Sequence, residues 1–90
     1  NIHHDEVLQF RNQLQWFMKY ESIYGEKQTI IKTYQLVSEL LKRFRMKYKK
    51  YDSHPFLCET YNLIQTAEII LKESLPVSYK RNKISKKTKL

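Results

Sequence analysis

The chain has 90 residues, a formal net charge of +8, and only one Gly, two Pro and one Cys. This length predicts a single domain and excludes a Rossmann sheet or a TIM barrel. The single Cys excludes an intramolecular disulfide framework, and no apolar run approaches the roughly 18 residues of a membrane-spanning helix. Because the sequence begins with Asn1 rather than Met, we expect it to be a piece of a longer protein.

The first predicted helix spans residues 5–24. Asp5 and Glu6 favour its start, because negative side chains stabilise the positive end of the helix dipole. Gly25 follows the last apolar residue and predicts a left-handed C-cap, a conformation that glycine adopts without steric cost. The residues of one apolar face recur at spacings of three and four. They are Val7, Phe10, Leu14, Phe17 and Met18.

The second predicted helix spans residues 28–50 and carries the strongest periodic pattern in the chain. Its apolar residues alternate spacings of four and three without interruption, which is a period of 3.5 and is typical of a narrow packing seam. The seam consists of Ile30, Tyr34, Val37, Leu41, Phe44, Tyr48 and Tyr51.

The third predicted helix spans residues 55–75. Asp52 or Ser53 is expected to cap its start, Pro55 suits the first turn, and Pro76 ends it. Its apolar residues cover about half of the circumference, which suits a helix that touches two neighbours. They are Phe56, Leu57, Tyr61, Leu63, Ile64, Ala67, Ile70, Leu71 and Leu75.

The breaks between the three segments are short, and short connections make consecutive helices antiparallel neighbours. The sequence therefore predicts an all-α, up-down-up three-helix bundle over residues 1–76, followed by a basic, flexible tail or linker over residues 77–90. Glu68 falls inside the apolar face of the third helix. We expect its carboxylate to reach water at the edge of that face, or else to pair with Arg11 or a base of the second helix.

A second apolar row lies on the first helix, opposite the stripe predicted for the core. Trp16, Tyr20 and Ile23 have the spacing i, i+4, i+7. Trp and Tyr are enriched at interface hot spots, so this row predicts a partner-binding face. The alternatives are that residues 1–3 or the tail cover the row, or that splayed helices use it internally.

Basic residues form two clusters that predict contact with phosphates or with an acidic or phosphorylated peptide. The alternative for the first cluster is an ordinary solvated helix face. The tail cluster is typical of a nuclear import signal, a nucleic-acid contact or a basic linker. The clusters comprise Lys42, Arg43, Arg45, Lys47, Lys49 and Lys50, and then Lys80, Arg81, Lys86 and Lys87.

Catalytic and metal-binding patterns are missing from the sequence. His54 and Cys58 are four residues apart, but a structural zinc site needs a second such pair. A Cys–His nucleophile would also need an orienting group and an oxyanion hole. We therefore predict no catalytic residue, no metal site and no cofactor.

These observations predict a non-enzymatic helical module for protein interaction, within a larger protein that is nuclear or, failing that, cytoplasmic. The expected partner is a helix of another protein or a second copy of the chain. The alternative is a nucleic-acid-binding domain that uses the basic face of the second helix and the tail. No integral membrane association is expected.

Overall fold

The computed structural model describes residues 4–79, which form three long helices. α1 spans His4–Tyr24, α2 spans Lys27–Lys47 and α3 spans Pro55–Glu73, with a 3₁₀ turn at Tyr51–Ser53 before α3. The all-helical prediction is confirmed, and no strand is present in this part of the chain. The tail was predicted to begin at residue 77, but residues 77–79 form a helical turn and Tyr79 packs against the core. The rest of the predicted tail, with Lys80, Arg81, Lys86 and Lys87, lies outside the described residues.

Contacts between α1 and α2 show that these helices run in opposite directions. The ring of Phe10 meets the ring of Phe44 edge to face, with 5.2 Å between centroids. Glu6, near the start of α1, forms an ion pair of 2.9 Å with Lys47 at the end of α2. The start of one helix therefore lies beside the end of the other.

α3 runs antiparallel to α2. The Tyr51 ring, just after α2, stacks on the ring of Tyr61 near the start of α3, with 4.1 Å between centroids. Farther back along α2, the Ser38 hydroxyl donates a hydrogen bond of 2.9 Å to the Glu68 carboxylate. Glu68 is half-buried, as expected at the edge of the apolar face, and its partner is this hydroxyl rather than Arg11 or a base of α2.

Arg11 connects α1 to α3, which run parallel to each other. Its Nε donates a hydrogen bond of 2.7 Å to the hydroxyl of Thr60, and one Nη lies 3.0 Å from the Glu59 carboxylate. The guanidinium also lies 4.5 Å from the ring centroid of Phe56, and the His4 ring lies 4.8 Å from that same ring. These contacts join the first halves of both helices.

The core lies where the three helices meet, and α2 contributes most of it. Leu40 has no exposed surface and Thr33 is 1% exposed, although neither belongs to the predicted seam. A helix that packs against two neighbours buries a wider face than a seam of period 3.5. The buried apolar residues are Val7, Leu14, Tyr34, Val37, Leu40, Leu41, Phe44, Leu57, Ile64, Ala67, Leu71 and Leu75.

Two residues that were predicted for the core of α3 lie at the surface instead. Leu63 is 46% exposed and Ile70 is 52% exposed. Both are on the side of α3 that turns toward α1, and contact between these two helices is the least extensive of the three helix pairs. The wide buried face was predicted for α3, but it belongs to α2.

The ends of α2 and α3 also differ from the prediction. α2 stops at Lys47 rather than at residue 50, and the Tyr48 N–H donates to the carbonyl of Phe44. The turn that follows allows the Tyr51 ring to reach α3. α3 begins with His54 at its N-cap and no side-chain cap, because the Ser53 hydroxyl donates to the carbonyl of Lys50 instead. α3 ends at Glu73, two residues before its predicted end.

The break after α1 forms as predicted. Gly25 has a φ of +25°, a backbone conformation that other residues rarely adopt. Its N–H donates a hydrogen bond of 2.7 Å to the carbonyl of Glu21. This bond satisfies one of the last carbonyls of the helix and lets the chain reverse within two residues.

Two buried threonines test the hydrogen bonding of the core. Replacing one by Val is expected to stabilise the fold, and replacing the other is expected to destabilise it. Thr33 is 1% exposed and its hydroxyl has no hydrogen-bond partner, so Thr33→Val should stabilise the fold by about 1 kcal/mol. Thr60 is fully buried, and its hydroxyl accepts from Arg11 and donates to the carbonyl of Phe56. Thr60→Val should destabilise by about 2 kcal/mol, because Arg11 loses a charge-assisted bond.

Urea unfolding of both variants measures these changes as shifts of the midpoint at a constant m-value. Each variant is the control for the other, because both replace the same buried hydroxyl by a methyl group. A shift in the same direction for both would contradict the assigned hydrogen bonding.

Candidate functional site

The row predicted for partner binding is at the surface of α1. Trp16 is 67% exposed, Tyr20 is 46% exposed and Ile23 is 61% exposed. Tyr24, which is not part of the predicted row, extends it and is 56% exposed. Its position four residues after Tyr20 was the signal that could have found it. These four residues are called the α1 outer face below.

The aromatic rings of this face contact other side chains of α1. The rings of Tyr20 and Tyr24 lie 4.8 Å apart between centroids. The ammonium of Lys19 lies 5.6 Å from the centroid of Trp16. Side chains that are ordered before a partner arrives lose less conformational entropy on binding.

The alternative that splayed helices use this row internally is wrong. α1 buries the opposite side, where Val7 has no exposed surface and Leu14 is 9% exposed. The other alternative is that residues 1–3 or the tail cover the row. It involves residues 1–3 and the tail from residue 80, which lie outside the described residues.

A second apolar feature lies between α1 and α3. It is an open groove of about 630 Å³. Met18 lines it from α1, and Leu63, Ala67 and Ile70 line it from α3. This groove exists because Leu63 and Ile70 are not covered by α1. The groove and the α1 outer face lie on different sides of α1.

The first basic cluster divides into two parts in the structure. Arg43 and Lys47 turn toward α1. Arg43 donates a hydrogen bond of 3.1 Å to the side-chain oxygen of Gln13, and Lys47 forms an ion pair with Glu6. The hydrogen bond to Glu6 raises the pKa of Lys47. These two bases therefore help to join the helices.

The other four bases of this cluster point to solvent. Lys42, Arg45, Lys49 and Lys50 are exposed, and none forms an ion pair with a carboxylate within residues 4–79. Lys42 and Arg45 are on α2, whereas Lys49 and Lys50 are in the turn that follows it. This smaller set is called the basic surface below, and its charges are available to an anionic partner.

Tyrosines lie next to these bases. The hydroxyl of Tyr48 is buried and has no hydrogen-bond partner. Burial raises its pKa, and the neighbouring Lys47 opposes the rise. The pKa of Tyr51 is also raised, first by its side-chain hydrogen bond to Tyr61 and then by burial. Both hydroxyls are therefore neutral at physiological pH and add no charge to the basic surface.

His54 and Cys58 lie at the first turn of α3. The thiol of Cys58 is 4.0 Å from the amide nitrogen of Asn62. Within residues 4–79, no three His, Cys, Asp or Glu side chains come together as metal ligands would. No helix in the described part of the chain has the length and hydropathy that crossing a bilayer requires.

Comparisons of the chain with family models, with curated proteins and with solved structures found no match. The α1 outer face and the basic surface are therefore the features of the chain that bear on its function.

Ionisation of the Tyr48 hydroxyl makes the stability of the fold depend on pH above the physiological range. Its folded pKa is raised, so the unfolded chain releases the proton first, and stability falls as pH rises above about 10. Tyr48→Phe should reduce this alkaline loss. At neutral pH it should also stabilise by up to about 1 kcal/mol, because the unpartnered hydroxyl is removed.

Urea midpoints between pH 8 and pH 11 test this expectation. Tyr24→Phe is the matched control, since it removes an exposed tyrosine hydroxyl from α1. An alkaline loss in Tyr48→Phe equal to that of the unmodified chain would contradict the burial of the Tyr48 hydroxyl.

Proposed function

We propose that this chain is a non-enzymatic protein-interaction module, a three-helix bundle within a larger nuclear protein, that binds a helix through the α1 outer face. The observation that carries the proposal is the 67% exposure of Trp16 at one end of an exposed apolar row. Contiguous exposed apolar patches on small proteins mark binding sites. Trp and Tyr contribute most to such contacts, because they bury large area at a low entropic cost.

The shape of the α1 outer face suits a helical partner. Trp16, Tyr20 and Ile23 follow the ridge that one side of a helix presents to another. An amphipathic helix with its own apolar residues at i, i+3 or i+4, and i+7 packs along such a ridge. The opposite side of α1 packs in the core, so binding requires no unfolding of the bundle.

A library of amphipathic helical peptides, displayed on phage and selected against the chain, tests this function. Enriched peptides should lose at least tenfold in affinity for a Trp16→Ala, Tyr20→Ala variant, as expected for interface hot spots. Isothermal titration calorimetry measures the affinity. Circular dichroism should show unchanged helicity, since both side chains are exposed.

Met46→Ala is the matched control, because Met46 is an exposed apolar residue of α2 at 65%. It should leave the affinity unchanged. Peptides that bind equally well to the Trp16→Ala, Tyr20→Ala variant would overturn the assignment of this face, and the absence of any enriched peptide would overturn the proposed function.

A second candidate function is nucleic-acid binding through the basic surface and the tail. The observation that favours it is the set of four exposed bases without carboxylate partners in residues 4–79. Free Lys and Arg side chains bind phosphates and release counterions. Within residues 4–79, no element with the features of a groove-reading motif accompanies them, so this binding would be independent of sequence.

Fluorescence anisotropy with labelled single-stranded and duplex oligonucleotides tests the second candidate. Log affinity should fall linearly with log salt, and neutralising all four bases to Gln should reduce the slope by roughly three, at about 0.7–0.9 per phosphate contact. Lys27→Gln, Lys32→Gln is the control for net charge elsewhere on α2. An unchanged slope in the fourfold variant would assign the binding to the tail, and no binding at low salt would exclude this function.

A further inference from the structure

We infer that the helix bound by the α1 outer face is α1 of a second copy, in an antiparallel homodimer whose two-fold axis passes near Tyr20. The inference rests on the proposed function and names its partner. Three observations support it: the area of the face, the charge of α1, and the position of the apolar residues along the helix.

The area of the face reaches what a dimer needs. At the exposures given above, the four side chains of the α1 outer face present roughly 500 Å² per copy. If both faces were fully covered, two copies together would bury about 1,000 Å², the lower limit for a specific interface. A dissociation constant of roughly 10 µM is expected for a small contact of this kind.

The charge of the chain favours α1 over α2 as the contact between copies. A chain with a net charge of +8 repels a second copy of itself. α2 carries six bases and one acid, whereas α1 carries three acids and two bases. Contact through α1 places α2 and its basic surface on the outer sides of the dimer, where like charges are farthest apart.

The apolar residues lie close together around Tyr20, which indicates the direction of pairing. In an antiparallel pair centred on Tyr20, the partner's Tyr24 lies opposite Trp16, and the two copies of Tyr20 meet at the axis. Each aromatic ring then faces another aromatic ring, and such pairs add about 0.5–1.5 kcal/mol beyond area burial. A two-fold contact also uses the same face of both copies, so no third copy can bind through that face.

Sedimentation equilibrium of the full chain from 1 to 300 µM tests the dimer. The mass should rise from 11.0 kDa to twice that value. Trp16 is the single tryptophan of the chain, so its emission should shift to the blue over the same concentrations as its ring leaves water. A mass of 11.0 kDa at all concentrations would overturn the inference.

Two matched isoleucines distinguish the α1 outer face from the groove on α3. Ile23→Glu should raise the dissociation constant at least tenfold. Ile70→Glu should leave the dissociation constant unchanged. The two isoleucines are matched in exposure, at 52% for Ile70 and 61% for Ile23. Circular dichroism checks that both variants fold. Loss of the dimer in Ile70→Glu would overturn the inference, because the groove would then take part in the contact.

Cross-linking tests the antiparallel direction. In a Cys58→Ser background, Tyr20→Cys should form a covalent dimer with a short bismaleimide. Gln9→Cys, which is exposed on the same side of α1 as Tyr20, should not, because the two Gln9 positions would lie about 33 Å apart along an antiparallel pair. Cross-linking of both variants would indicate parallel helices and would overturn the stated arrangement.

Failure of the dimer and failure of the proposed function give different results. A monomeric chain that still binds helical peptides through Trp16 would overturn the dimer and leave the proposed function intact. A monomeric chain that binds no peptide would overturn both.

Discussion

Burial of α2 against both α1 and α3 is the interaction on which the rest of the structure depends. Val37, Leu40 and Phe44 have no exposed surface, and they lie on three successive turns of α2. Each fully buried large apolar side chain contributes about 1.5–3 kcal/mol. The exposed ion pair between Glu6 and Lys47 contributes little, because water screens its charges. The apolar face of α2 therefore holds the helices together, and the polar contacts set their alignment.

Contact between α1 and α3 is smaller and more polar. Arg11 reaches both Thr60 and Glu59 and lies over the ring of Phe56. This cluster fixes the first halves of the two helices. Beyond it, α1 no longer covers α3, and the groove beside Met18 remains open. The geometry of the bundle thus leaves apolar surface exposed in two places.

Those two exposed surfaces differ in what they offer a partner. The α1 outer face is a convex ridge with two tyrosine rings in tilted contact and a large indole. The groove is concave, and both apolar and polar side chains line it. A ridge can meet its own copy across a two-fold axis, but a groove needs a different, convex surface. The basic surface lies on α2 and the turn after it, so an anionic partner would approach a different helix from the one that carries the aromatic ridge.

The sequence alone determined the helical class, the breaks at Gly25 and Pro55, and the position of Trp16, Tyr20 and Ile23 opposite the core stripe of α1. Helical periodicity and turn residues are local properties, so they can be read without knowing the neighbours of each helix. Only the tertiary structure decided that α2 carries the wide buried face, that Leu63 and Ile70 are exposed, and that Ser38 pairs with Glu68. It also divided the bases of α2, turning Arg43 and Lys47 toward α1. These outcomes depend on how much of each helix its neighbours cover, and that coverage follows from the packing of all three helices together.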